Sequence, residues 1–134
     1  MNDSKEYEQG YKKYESKAIE YMEDKEKAEG LLKNAISKAN EKKGKLGEAW
    51  EKLQLLFEVL RAWIKGEYKE IPKGSIIMII ATIIYFISPV DLVPDFIAGL
   101  GLIDDAAVIG FAIKQISNDL EKFKIWKNNH KIEE

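Results

Sequence analysis

Ile76-Ile77-Met78-Ile79-Ile80-Ala81-Thr82-Ile83-Ile84-Tyr85-Phe86-Ile87 is the stretch on which the fold turns. Its isoleucines suit a buried strand as readily as a helix. Twelve residues is long for a strand, however, and the flanking sequence offers no second strand to pair with. The run is therefore read as a helix that is apolar on every side, which is either the centre of a bundle or a membrane element. The uncharged stretch from Gly74 to Val90 is 17 residues, at the bottom of the spanning range. Its Ile, Phe and Val side chains contribute about -0.3 to -0.6 kcal/mol each, so insertion is only mildly favourable. The next apolar stretch, Leu92 to Ile113, carries Asp95, Asp104 and Asp105, each costing about 2.5 to 3.5 kcal/mol near mid-bilayer. It does not cross on its own. The chain has room for one span at most, or for a shallow hairpin. Arg61, Lys65, Lys69 and Lys73 precede the first stretch and no lysine or arginine falls between Asp91 and Gly110. A span would thus leave the N-terminus on the cytoplasmic side.

Working outward on the C-terminal side, Gly74 to Ile113 holds four charged side chains, all of them aspartates. Ser88, Pro89 and Asp91 read as an N-cap, a first-turn proline and an acidic third position, so a short helix is expected from Pro89. Pro94 ends or bends that turn by disfavouring helical geometry at Val93, which limits it to residues 89–97. Gly99 and Gly101 allow a tight reversal, and Asp104 is placed to cap a helix opening at Asp105. That helix is expected to run to residue 126, with Ile109, Ile113, Ile116, Leu120 and Phe123 on one face. Capping accounts for Asp91 and Asp104 and does less for Asp95 and Asp105.

On the N-terminal side, Trp50, Leu53, Leu56, Phe57, Leu60, Trp63 and Ile64 give residues 48–65 a continuous apolar stripe. Arg61, the one arginine of the chain, lies on the edge of that stripe. It either snorkels to water or forks onto a motif aspartate, where a planar guanidinium suits a carboxylate better than an ammonium does. If it pairs with a buried acid, Arg61→Ala costs about 3 to 5 kcal/mol. Further upstream, Tyr7, Tyr14, Tyr21, Ala28 and Ala35 recur every seven residues, with Tyr11, Ala18, Lys25, Leu32 and Ala39 interleaved. This seam, built from Tyr and Ala rather than Leu and Ile, is read as a helix lying on the rest of the domain, or as one that docks a partner or a second copy.

Composition sets the outer bounds. The chain has 134 residues, 46% hydrophobic and 33% charged, no cysteine and a net charge of -2. That is one folded domain without disulfides or thiolate metal sites. Residues 1–47 carry +11 and -10, residues 48–73 carry +5 and -5, and residues 114–134 carry +5 and -4. No segment is basic enough to suggest nucleic acid as a partner. Met1 to Lys5 are polar, so neither a signal peptide nor a lipidation motif is expected at the start.

The string Tyr85-Phe86-Ile87-Ser88-Pro89-Val90-Asp91-Leu92-Val93-Pro94-Asp95-Phe96-Ile97, followed by Gly99, Leu100, Gly101 and Asp104-Asp105, resembles the signature of the YkvA-like family, a bacterial domain of unknown function. The upstream helix with Arg61 extends the resemblance to roughly residues 46–120. Ala98 stands where that family usually has proline, which leaves the bend after Phe96 less rigid. The resemblance implies a small helical protein, commonly membrane-associated, and brings no established activity.

Three functional readings remain open. The first is a non-catalytic, membrane-associated scaffold or regulatory module, with Arg61 as charge partner of the motif and a membrane surface, a membrane protein or a protein docked on the N-terminal seam as partner. The second is a divalent-cation-binding protein or metal-dependent enzyme. Asp91, Asp95, Asp104 and Asp105 would supply the oxygen ligands that hard cations prefer, although no calcium-loop pattern is present. The third is a soluble cytoplasmic interaction domain. No catalytic residue is assigned: Ser88 reads as a cap, His130 lies in a polar tail, and Gly99-Leu100-Gly101 is too short for a phosphate loop. The fold expected is all-α. It is a small helical bundle with a central apolar helix (75–87), a Pro/Asp-rich bend and a long charged N-terminal helix. Residues 1–45 form the charged segment, 46–126 the helical domain and 127–134 the tail.

Overall fold

The computed structural model describes residues 15–87 and 105–131, the side chains of 105–108 and 131 excepted. Each element among them is a helix: α1 (15–22), α2 (Lys25–Glu41), α3 (Lys43–Leu46), α4 (Ala49–Ile64), α5 (Lys73–Ile87), α6 (Asp105–Gln115) and α7 (Ser117–Lys131). The isoleucine run is thus helical, with tertiary packing deciding against its local strand preference.

The long N-terminal helix is divided in two at Glu23 and Asp24. Asp24 is extended (φ -127°, ψ 97°) and its carboxylate accepts from the Lys27 N–H at 3.1 Å. An aspartate that caps a new helix cannot also continue the old one. The seam nevertheless behaves as one surface: Ala18, Ala28, Leu32, Ala35 and Ala39 are all buried. What they bury against is the chain itself, because α2 lies on both α4 and α5.

Three contacts orient these helices. Lys25, at the start of α2, lies over Trp63 near the end of α4, and Lys43, just beyond α2, lies over Trp50 near the start of α4. Lys38, near the end of α2, reaches the last carbonyl of α5. So α2 runs antiparallel to α4 and parallel to α5. The turn between α4 and α5 uses Gly66 at φ 76°, a left-handed position that favours glycine.

In α4 the expected stripe is the buried one: Leu53, Leu56, Phe57 and Leu60 are inaccessible or nearly so, while Trp50 and Trp63 sit half-buried at its edges. In α5, Ile76, Ile79, Ile80, Ile83 and Ile84 are buried against α2, α4 and α6. Each contributes on the order of 1.5 to 3 kcal/mol relative to exposure. Ile77, Met78 and Ala81 are half-buried, so α5 is central without being enclosed on every side.

The single helix expected over 104–126 bends at Ile116 and extends to Lys131, so that residues 127–131 of the expected tail are helical. Ile116 joins the two helices: its N–H donates to the Ala112 carbonyl and its own carbonyl accepts from the Leu120 N–H. Before it, α6 lies on α4 and α5. After it, α7 covers the α4–α5 connector, setting Phe123 edge-on and Trp126 tilted against the buried Tyr68 and pairing Lys127 with Glu58 at 2.5 Å. Among the described residues no helix is long and apolar enough to cross a membrane. At 15 residues, α5 is about 22 Å long against a hydrocarbon core of about 30 Å.

Candidate functional site

The two ends of α5 carry the polar contacts that connect it to the rest of the molecule. Its C-terminal end opens the Pro/Asp segment. Like any helix, α5 leaves unsatisfied carbonyls and a partial negative charge there. Its own last turn has no basic residue, and α2 supplies the charge instead. Lys38 Nζ donates to the Ile87 carbonyl at 2.8 Å. Lys38 and Lys42 each lie 5.7 Å from the ring centre of Phe86, which is 1% exposed. Two ammonium groups therefore stand on one buried ring, one helical turn apart, where the chain leaves α5.

At the N-terminal end, the Ser75 hydroxyl is buried and donates to Asp119 Oδ2 in the first turn of α7. The carboxylate satisfies that hydroxyl and also suits the positive end of the α5 dipole. Burial pushes the adjacent Tyr68 hydroxyl above its ordinary range, and the carboxylates of Glu70 and Asp119 push it further.

These contacts locate the anchors of the motif segment. Ser75 faces Asp119, so α6 and the start of α7 run antiparallel to α5. From Ser75 to Ile87 the helix rises about 18 Å, and from Asp119 back to Asp105 about 21 Å. Ile87 and Asp105 are consequently at the same end of the bundle, the end where α2 finishes.

Of the residues singled out in the sequence, Ser88, Pro89, Asp91, Pro94, Asp95, Gly99, Gly101 and Asp104 lie outside the described residues. Asp105 opens α6, and its side chain also lies outside them. Arg61 is exposed in the last turn of α4, at the end of the bundle away from Ile87. No group of three or more His, Asp or Glu among the described residues is arranged to hold a metal ion. His130 sits on α7 with its ring 4.2 Å from that of Trp126, and its Nδ1 lies 2.8 Å from the Trp126 carbonyl. It is a residue of the last turn of α7. Sequence reading missed Lys38, Lys42 and the Ser75–Asp119 pair. The available signal was the lack of any lysine or arginine in the last turn of the apolar helix, which calls for a cation from elsewhere.

No solved structure matches the chain. The family described as "Protein of unknown function (DUF1232)" matches residues 75–111, from the buried serine of α5 to the middle of α6. A protein of Bacillus subtilis (strain 168) named "Uncharacterized membrane protein YkvA" is 33% identical over 97 residues, which is 72% of this chain and 92% of that relative. The match spans nearly the whole relative and the family model covers the Pro/Asp segment, so this chain belongs to the YkvA-like DUF1232 family.

Proposed function

We propose that this protein is a non-catalytic, membrane-associated helical scaffold or regulatory module that meets the bilayer as a folded bundle. The observation that carries the reading is the relative named a membrane protein, matched over 92% of its length. Two features favour a surface position over a span. The apolar face of α5 is engaged by α2, α4 and α6, and α5 falls short of the hydrocarbon thickness by about 8 Å. Leaving the bundle to cross the bilayer would expose the apolar faces of three other helices.

In this reading the Pro/Asp segment sets the bend between α5 and α6 and Lys38 secures the point where it starts, while Arg61, exposed at the other end of the bundle, is not its charge partner. Because the seam of α2 is occupied within the chain, a protein partner of the N-terminal third would use its outer, charged face.

Fractionation of cells expressing the chain tests the proposal. The protein should pellet with membranes and be released without detergent by high salt or alkaline wash. Extraction by detergent alone would mean a spanning segment. Recovery as a discrete, cooperatively melting species in the soluble fraction would favour the interaction-domain reading.

A further inference from the structure

Among the described residues the half-buried lysines are Lys27, Lys38, Lys42 and Lys127. An ammonium that has lost part of its water needs an oxygen within reach. Lys27 holds Glu20, Lys127 holds Glu58 and Lys38 holds the Ile87 carbonyl. Lys42 stands one turn after Lys38 and, like it, 5.7 Å from the ring centre of Phe86. Two like charges at that spacing disfavour one another, so an anion beside them relieves both. The acids with described side chains at this end are Glu41, Glu48 and Glu51, all exposed. Glu41 adjoins Lys42 in sequence and points round the helix from it. Glu48 and Glu51 belong to the start of α4, where Lys43 lies over Trp50. These acids leave the end as a whole close to neutral. Lys38 and Lys42 differ from its other lysines in position, because they stand where the chain leaves α5.

We infer that Lys42, with Lys38 beside it, is the docking surface for the aspartate segment 88–104, and that Lys42 takes Asp91 as its ion partner. Those 17 residues hold Asp91, Asp95 and Asp104 and no lysine or arginine. They join Ile87 to Asp105, which are both at the end of the bundle where α2 finishes. Asp91 is four residues beyond Ile87, about 14 Å of chain at most. The cations of the other end are farther off: Lys73 opens α5, about 21 Å along the helix from Ile87. The pairing gives a motif carboxylate its counter-charge from α2 and so couples the first third of the chain to the motif. It does not depend on the membrane-associated reading, and its failure would leave that reading standing.

A double-mutant cycle on the full chain tests the pairing, read as the thermal midpoint in far-UV circular dichroism at low salt. Lys42→Met and Asp91→Asn should each lower the midpoint, and the double variant should fall by about 4 °C less than their sum, because the same ion pair is lost in all three. Any capping lost with Asp91 enters both the single and the double variant and cancels in the cycle. Lys45→Met, exposed on α3, is the control and should be additive with Asp91→Asn to within about 1 °C. Carbodiimide cross-linking of the wild type reads the same contact without a substitution, and the Lys42 amine should be found joined to Asp91 after digestion. Additive losses in Lys42→Met and Asp91→Asn, or capture of Lys42 by Glu48 or Glu51 instead, would overturn the pairing. A Lys42–Asp91 link that joins isotope-labelled to unlabelled chains in a mixed sample would give the surface to a second copy and overturn the docking within one chain.

Discussion

Lys38→Met removes the ammonium that closes α5 and keeps the aliphatic stem that packs beside it. The wild-type bond to the Ile87 carbonyl, at 2.8 Å and partly buried, is charge-assisted. Such a bond contributes about 1.5 to 3 kcal/mol. The favourable placement of a cation at a helix C-terminus is largely the same interaction and is not added to it. The contact with Phe86, at 5.7 Å, is near the outer limit of a cation–π interaction and adds about 0.5 kcal/mol. Partial exposure argues for the lower half of the range, so the loss should be about 2 kcal/mol, a fall in melting temperature of about 8 °C for a chain of this size. Far-UV circular dichroism during thermal unfolding measures it. Lys33→Met is the control: on the same helix, Lys33 is exposed beside Glu29 at 3.8 Å, and it should shift the midpoint by no more than about 2 °C. Arg61→Ala gives the contrasting case. An exposed guanidinium paired with a carboxylate contributes about 0 to 1 kcal/mol, against the 3 to 5 kcal/mol of a buried pair. A midpoint unchanged by Lys38→Met, or a larger fall in Arg61→Ala, would refute the assignment of Lys38 as the residue that secures α5 at the motif.

At the other end of α5, Asp119→Ala strands the buried Ser75 hydroxyl and should cost about 2 kcal/mol; adding Ser75→Ala should recover part of that loss in urea unfolding. Tyr68 supplies a pH signature. Its raised value means that the folded state holds the phenolic proton more tightly than the unfolded chain, so stability is unaffected below about pH 10 and falls as the pH rises beyond it. Tyr68→Phe should flatten that alkaline decline relative to wild type in melts followed through the same range. The metal reading of Asp91, Asp95, Asp104 and Asp105 is met by titration with magnesium, manganese or calcium: binding would raise the melting temperature of the wild type and leave that of Asp95→Asn unchanged.

The helices were legible where periodicity carried the information. The stripe from Trp50 to Ile64 identified the buried face of α4, and the seven-residue recurrence of alanine identified the buried face of α2. Periodicity states which face is covered and is silent on what covers it, so the seam read equally well as a surface for a partner. It is filled by α4 and α5, the latter about fifty positions away in the chain. Ile109, Ile116, Leu120 and Phe123 are buried on both sides of the break at Ile116, so the apolar pattern runs across it and the break left no trace in the sequence. The candidate site was half legible. The aspartate motif stood out by composition, whereas Lys38 looked like any other lysine of a charged helix until the fold set it beside a carbonyl 49 residues away.

The parallel placement of α2 beside α5 also has a bearing on synthesis. A run of isoleucines with one threonine and no charge is the kind of segment that associates with its own kind when left uncovered. Two of its three neighbours, α2 and α4, precede it in the chain and are already outside the ribosome when it emerges. The most adhesive helix is thus made after the surfaces that receive it, so vectorial translation itself shortens the interval in which another nascent chain can capture it.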